Sequence, residues 1–163
     1  MRQTYIGLGS NLGHSQALLI EAVVALRQLG QVRVSRLYAS APMGPQDQPD
    51  YLNAVVALTT DLTPDTLLRY TQQCEQAAGR VRQRHWGERT LDLDILLMDG
   101  VQIDLPHLVI PHVGILQRAF VVQPLLDVWP DAQVGGVDLR DLAVAQTSEG
   151  IRVVADSTWI DPS

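Results

Sequence analysis

The order of signals along the chain predicts an α+β domain with a ferredoxin-like βαββαβ core, a mostly antiparallel sheet with helices packed on it. Three observations carry this. Two stretches, 15–29 and 64–78, repeat apolar residues at three- and four-residue spacing and end at a glycine. Short β-branched or alternating segments stand before, between and after them. No repeat or linker interrupts the pattern, so the 163 residues read as a single domain, 1–163, with its own core.

Residues 4–8 read as the first strand, entering a turn with glycines at 7, 9 and 13. The spacing is not Gly-x-Gly-x-x-Gly, and no acidic residue ends the next strand signal to meet a ribose. A tight strand-to-helix connection is therefore preferred to a dinucleotide site. Leu18, Leu19, Ala22, Val23, Leu26 and Leu29 mark the first helix, which Gly30 stops. Residues 32–40 read as one strand, with Val32 and Val34 alternating against Arg33 and Ser35. Residues 41–50 hold three prolines and a glycine, a loop of restricted conformation.

Residues 51–60 form the next strand, with Tyr51 and Asn53 on one face. An aromatic beside a carboxamide suits a flat, nitrogen-rich heterocycle, although the pair alone reads more simply as a half-buried strand face. Thr63 caps the second helix and Pro64 takes its first position; the helix runs to about residue 78, before Gly79. Gln72 and Glu75, three apart, share a face and read equally well as surface residues.

Residues 91–98 are the strand of most chemical interest, ending at the hairpin turn Asp99-Gly100. Asp92 and Asp94 share one face, their Cβ atoms about 6.5–7 Å apart by the strand rise, and Leu91, Leu93 and Ile95 take the other. Two carboxylates on an otherwise apolar strand are costly unless something offsets their desolvation. Mg²⁺ does so, taking one or two carboxylates together with phosphate oxygens and water. Just upstream lie Arg80, Arg82, Arg84, His85 and Arg89. Alone, Asp-x-Asp is usually a solvated sheet edge and an arginine run a solvated face. Side by side, with Trp86 and Gly87 between, they are what a bound polyphosphate needs.

Residues 101–104 read as the returning strand, 105–113 as irregular, 114–119 as a helical turn and 120–123 as a strand. Residues 124–134 read as irregular, 138–145 as a last helix and 151–155 as an edge strand or tail. His107 and His112, with proline between them, do not make a helical zinc site.

Composition narrows the chemistry. All twelve basic residues are arginine, four of them within 80–89, although the net charge is −6. Without lysine there is no Walker-A, protein-kinase or Schiff-base lysine, and phosphate chemistry falls to arginine, metal, histidine or backbone amides. The acidic balance argues against nucleic acid or an anionic membrane as partner. No apolar run is long enough to span a bilayer and no secretory signal is evident. The one cysteine, Cys74, reads as a small buried hydrophobe in a protein of the reducing cytoplasm.

The run from Trp86 to Leu96 resembles the signature of the 6-hydroxymethyl-7,8-dihydropterin pyrophosphokinases of the folate pathway. The likeness continues at 5–13, at 42–53, and at Pro111-His112 with Arg118 and Phe120, in the family's order over about residues 4–127. For the fold it implies further strands and a helix on the second face of the sheet. It implies transfer of pyrophosphate from ATP to the hydroxymethyl oxygen of the dihydropterin, with AMP released. Asp92 and Asp94 would hold two Mg²⁺ ions and, with Arg80 and Arg89, form the catalytic group. Gln72, Glu75, Arg82, Arg89, Ile95, His112 and Arg118 match ATP-site positions. Tyr51 and Phe120 would sandwich the pterin and Asn53 would read its amide edge. Ser40, Ala41, Pro42, Met43, Gly44, Trp86 and Asp92 would complete that pocket. The expected protein is a monomer acting on small molecules.

The sequence departs from common family patterns at His85 and Glu88, and at His107, Val109 and Val113 near the nucleotide. Two rival readings are a transferase moving only the γ-phosphoryl group, which would release ADP, and a binding module without turnover.

Overall fold

The structure is a computed structural model that describes residues 1–11, 14–41, 49–78 and 91–160. Strand β1 (Arg2–Ser10) lies inside the main sheet and is buried on both sides of it because its even and odd residues each meet a core. The helices are α1 (Ser15–Arg27), α2 (Pro64–Ala77), α3 (Ala119–Val128) and the short α4 (Ala143–Gln146). The remaining main-sheet strands are β2 (Gln31–Val34), β3 (Leu37–Ser40), β4 (Tyr51–Thr60), β5 (Asp92–Met98) and, after two small hairpins, β10 (Ile151–Ala155). Their order is β10-β3-β4-β1-β5, with β2 on the far half of β4, and every pairing is antiparallel. The run β3-β4-β1-β5 with α1 and α2 reproduces the expected βαββαβ arrangement.

Two cores sandwich the sheet. On one face Ile6, Leu8, Val56, Leu58, Leu93 and Ile95 pack under Leu19, Val23 and Leu26 of α1 and Leu67 of α2. On the other, Tyr5, Val55, Ala57 and Leu96 meet Val121, Val122, Leu125 and Val128 of α3. The side-chain period of two divides each strand between the cores, which is why β4 is apolar almost throughout. The N-terminus of α2 is capped as expected, the Thr63 hydroxyl accepting from Thr66 N–H at 3.2 Å behind Pro64.

The expected strand 32–40 is two strands. At Ser35 the backbone N–H donates to the Val55 carbonyl at 2.9 Å, while its hydroxyl accepts from Val55 N–H at 2.9 Å. A side chain thus replaces a ladder bond, and the chain re-enters the sheet at a new position on β4. The turn at Asp99-Gly100 is present, with Val101 N–H on the Met98 carbonyl and Gly100 at φ +72°. Its returning strand, however, is β6 (Ile103–Leu105), which pairs with β7 (Leu108–Ile110) and not with β5. Residues 105–113 are therefore partly ordered strand.

The expected strand 120–123 is the first half of α3, and most of 124–134 is not irregular either. Pro124 sits inside α3, at the loss of one backbone bond. Burial of Val121, Val122, Leu125 and Val128 on one stripe overrides that loss and the β-branched composition. Beyond it, β8 (Gln133–Val134) and β9 (Val137–Asp138) close on Gly135-Gly136, both at positive φ as a two-residue hairpin requires. The expected helix 138–145 is a 3₁₀ turn, Leu139–Asp141, followed by α4.

β5 carries a bulge. Tyr5 faces Leu97 and Ile6 faces Ile95, so Leu96 is the extra residue and turns into the second core.

Candidate active site

Strand register assembles the site. Gly9 lies opposite Asn53 on one side and Asp92 on the other, Gly7 lies opposite Asp94, and Ser40 lies opposite Tyr51. By the two-residue period Ser40, Tyr51, Asn53, Asp92 and Asp94 all emerge on the face that α3 packs against, at the end of the sheet where β1 finishes. Two strand spacings separate β4 from β5, so Asn53 and Asp92 stand about 9–10 Å apart across β1. The residues between them on that face are Gly7 and Gly9. A Cβ at Gly9 would stand 3.5 Å from Asn53 Oδ1, and one at Gly7 would stand 3.4 Å from Leu96 Cδ2. β1 therefore contributes a floor without side chains, flanked by an amide and two carboxylates.

The amide is fixed. Asn53 is 4% exposed, and its Nδ2 donates to the Ser40 hydroxyl at 2.7 Å. With that nitrogen engaged, Oδ1 leans over Gly9 as an acceptor aimed at the floor. Ala41, next along, hangs its backbone N–H on the Gly150 carbonyl at 3.0 Å. Asn11, buried just after β1, donates to the Pro49 carbonyl at 3.1 Å and ties the end of β1 to the segment leading into β4.

On the other flank Asp92 is half-buried and Asp94 exposed. Both acids thus keep access to water, which lightens the desolvation cost that the sequence pattern raised. Two carboxylates on one face, their Cβ atoms about 6.5–7 Å apart, remain suited to divalent cations. Among the described residues no group of three or more His, Cys, Asp and Glu could hold a metal. Two carboxylates are the complement that Mg²⁺ takes when phosphate oxygens and water fill its other positions.

The nucleotide-side expectations divide. Glu75 is buried, and its Oε2 accepts from Leu93 N–H at 2.9 Å, tying α2 to the outer edge of β5. Gln72, three residues earlier, is exposed, so the shared helix face holds two different environments. The Ile95 side chain is 4% exposed in the α1/α2 core, on the face opposite the two aspartates. What Ile95 offers a ligand is main chain along the sheet edge. Cys74 is half-buried on α2, with its thiol pushed up by burial and by the neighbouring Glu75.

His112 is drawn to β5, its backbone N–H donating to the Leu96 carbonyl at 2.8 Å. Its Nδ1 accepts from Gly114 N–H at 3.1 Å, which places the proton of the neutral ring on Nε2. Arg118 precedes α3, and its guanidinium carbon lies 5.9 Å from the centre of the half-buried Phe120 ring. The far end of α3 is clamped to β2 and β3. Arg33 donates to the Val128 carbonyl at 2.7 Å, Arg36 forks onto the Asp127 carboxylate, and the Tyr38 hydroxyl donates to Asp127 at 2.8 Å. Burial, then the bond to Asp127, pushes the Tyr38 phenol up from its ordinary range.

Pro42, Met43, Gly44, Arg80, Arg82, Trp86 and Arg89, with Arg84, His85 and Glu88, lie outside the described residues. Sequence reasoning missed the Gly7/Gly9 floor, although glycines two apart on a strand already announce a face without side chains. It also missed the Arg36–Tyr38–Asp127 clamp, whose partners are far apart in the chain. No helix among the described residues is long and apolar enough to cross a membrane.

Comparison with known proteins gives the family of the chain. Residues 5–130 match the model of the family described as 7,8-dihydro-6-hydroxymethylpterin-pyrophosphokinase. A 2-amino-4-hydroxy-6-hydroxymethyldihydropteridine pyrophosphokinase of Methylorubrum extorquens is 41% identical over 157 residues, covering 94% of this chain and 99% of the relative. One from Pseudomonas aeruginosa is 44% identical over 155 residues, covering 93% and 96%. Among solved structures, the Plasmodium falciparum HPPK-DHPS wild type with pterin and p-hydroxybenzoate aligns with a TM-score of 0.66 at 16% identity. That alignment covers 88% of this chain but 42% of the Plasmodium chain, and it speaks for the fold alone.

Proposed function

The chain belongs to the 7,8-dihydro-6-hydroxymethylpterin-pyrophosphokinase family, and we propose that its reaction takes place on the bare floor of Gly7 and Gly9 between Asn53 and the Asp92/Asp94 pair. The enzyme transfers pyrophosphate from ATP to the hydroxymethyl group of 6-hydroxymethyl-7,8-dihydropterin, giving AMP and the pterin diphosphate, a step of folate biosynthesis. The observation that carries the placement is the register that sets a buried amide acceptor and two carboxylates on opposite flanks of one side-chain-free strand.

A flat pterin needs a flat seat. Asn53 Oδ1, held over Gly9 by the Ser40 bond, accepts a ring N–H, while Tyr51 and Phe120 supply the stacking faces. The hydroxymethyl arm then points across β1 toward β5. There Asp92 and Asp94 would hold Mg²⁺, two ions in this reading, which would supply charge neutralisation for the phosphates. His112, with its proton on Nε2, donates to a phosphate oxygen, and Arg118 adds a cation. Arg80, Arg82 and Arg89 neutralise the rest of the polyphosphate, as their forked guanidinium groups suit. Gln72, Glu75 and main chain at Ile95 border the nucleoside along the edge of β5.

We also read residues 1–163 as one domain that acts as a monomer on small molecules in the cytoplasm. Among the described residues the exposed large apolar side chains are Met1, Val24, Leu105, Val113, Val153 and Val154, few enough for a monomer, and a lone half-buried cysteine suits a reducing compartment. Incubation of the purified protein with ATP, Mg²⁺ and the reduced pterin alcohol tests the chemistry. Pterin-dependent AMP is expected; pterin-dependent ADP would replace pyrophosphoryl by phosphoryl transfer. Loss of AMP formation in Asp92→Ala and Asp94→Ala would support the placement, and full turnover in both would remove it.

A further inference from the structure

The turn between β7 and α3 presses the bare Cα of Gly114 against Arg118. A Cβ built at Gly114 would stand 2.9 Å from Arg118 Nε and 3.0 Å from its Cζ. The same guanidinium lies over Phe120, 5.9 Å from the ring centre. Arg118 is thus seated between a glycine and an aromatic face, the kind of slot that a planar, weakly hydrated guanidinium fills. Gly114 is held in turn by its own backbone, with N–H on His112 Nδ1 and the carbonyl accepting from Gln117 N–H at 3.2 Å.

Backbone conformation does not explain the glycine. Gly114 is not among the glycines at positive φ, so alanine fits the main chain there and keeps the bond to His112. What alanine would disturb is the seat of Arg118. We propose that Gly114 is a positioning residue: by having no side chain it holds Arg118 over Phe120, coupling the cation on the nucleotide side to the ring on the pterin side. The inference rests on the reading of Arg118 and Phe120 as ATP- and pterin-facing groups. A guanidinium already placed loses less rotamer freedom when phosphate arrives, so the effect belongs in binding more than in turnover.

The test is a double-mutant cycle on the full chain, with Gly114→Ala, Arg118→Ala and the pair compared by steady-state kinetics and thermal unfolding. Gly114→Ala should unfold at the wild-type temperature, because the atoms it meets end a flexible side chain. It should raise KM for both substrates about two- to fivefold at nearly unchanged kcat, the range of an exposed cation–π contact. Arg118→Ala should raise KM for ATP roughly ten- to a hundredfold, as loss of a charged hydrogen bond does. In that background Gly114→Ala should add nothing. An equal effect of Gly114→Ala with and without Arg118, or no effect on KM while Arg118→Ala has one, overturns the positioning role. No effect of Arg118→Ala on the KM for ATP overturns the reading of Arg118 itself, and the inference with it.

Discussion

The carboxylate of Glu75 accepts the backbone N–H of Leu93, the residue that separates Asp92 from Asp94, at 2.9 Å. β5 is the edge of the sheet, and an edge strand leaves alternate N–H groups without a strand partner. The acid of α2 therefore fixes the main chain at the point where the two aspartates are presented. Replacing Glu75 by Ala leaves a buried N–H without this acceptor and should lower stability by about 1–3 kcal/mol. Glu75→Gln keeps an acceptor oxygen and should recover most of that in urea unfolding. If the two variants are equally stable, the tether does not hold β5.

On the proposed reading Asp92 and Asp94 serve the chemistry more than the fold. Asp92 is half-buried and Asp94 exposed, so neither carboxylate is enclosed in a core. Alanine at both should leave the unfolding midpoint within a few degrees of wild type and reduce AMP formation by about three orders of magnitude or more, the scale of losing electrostatic catalysis. Chelation of Mg²⁺ should stop turnover of the wild type to a similar extent. A double variant retaining a tenth of the wild-type rate would place the metal elsewhere.

Asn53 should act on one substrate only. Asn53→Ala removes the acceptor over Gly9 and should weaken reduced-pterin binding roughly tenfold, with ATP affinity unchanged. Calorimetric titration of each ligand reads this directly. An equal loss for ATP would mean that the amide supports the sheet end as a whole.

The clamp on α3 has a pH signature. Burial, reinforced by the bond to Asp127, raises the Tyr38 phenol in the folded state, so the native protein holds that proton more tightly than the unfolded chain. Its contribution is complete below the unfolded value of about 10 and declines as pH rises beyond it. Tyr38→Phe should therefore lose about 1 kcal/mol at neutral pH and flatten the decline in stability between about pH 10 and 11. Denaturant midpoints for both proteins across that range check the sign. A decline as steep in Tyr38→Phe would assign it to another group.

How much of this was legible in sequence follows from the range of the interactions. α1, α2 and β4 were readable because their patterns are local: apolar spacing, a Thr-Pro cap, a β-compatible apolar run between turn signals. The shared face of Asp92 and Asp94 was readable for the same reason. α3 was not, because Pro124 and its valines point locally away from a helix and only the sheet beneath supplies the countervailing burial. Ser35 hid a break in a strand, since a hydroxyl replacing a ladder bond looks from the sequence like any polar residue in a strand. The pairing of Gly9 with Asn53 and Asp92 depends on register between strands far apart in the chain, which periodicity does not encode.

The bare floor can be tested by filling it. Gly9 lies in an extended strand and is not at positive φ, so valine fits the main chain and places its branches between Asn53 and Asp92. Titration of the reduced pterin alcohol into Gly9→Val, with a wild-type unfolding midpoint as the control for folding, is the most direct measurement. Binding should weaken by on the order of a hundredfold or more, the upper scale of an overpacked site. Pterin affinity equal to wild type in the folded variant would show that the ring does not lie there.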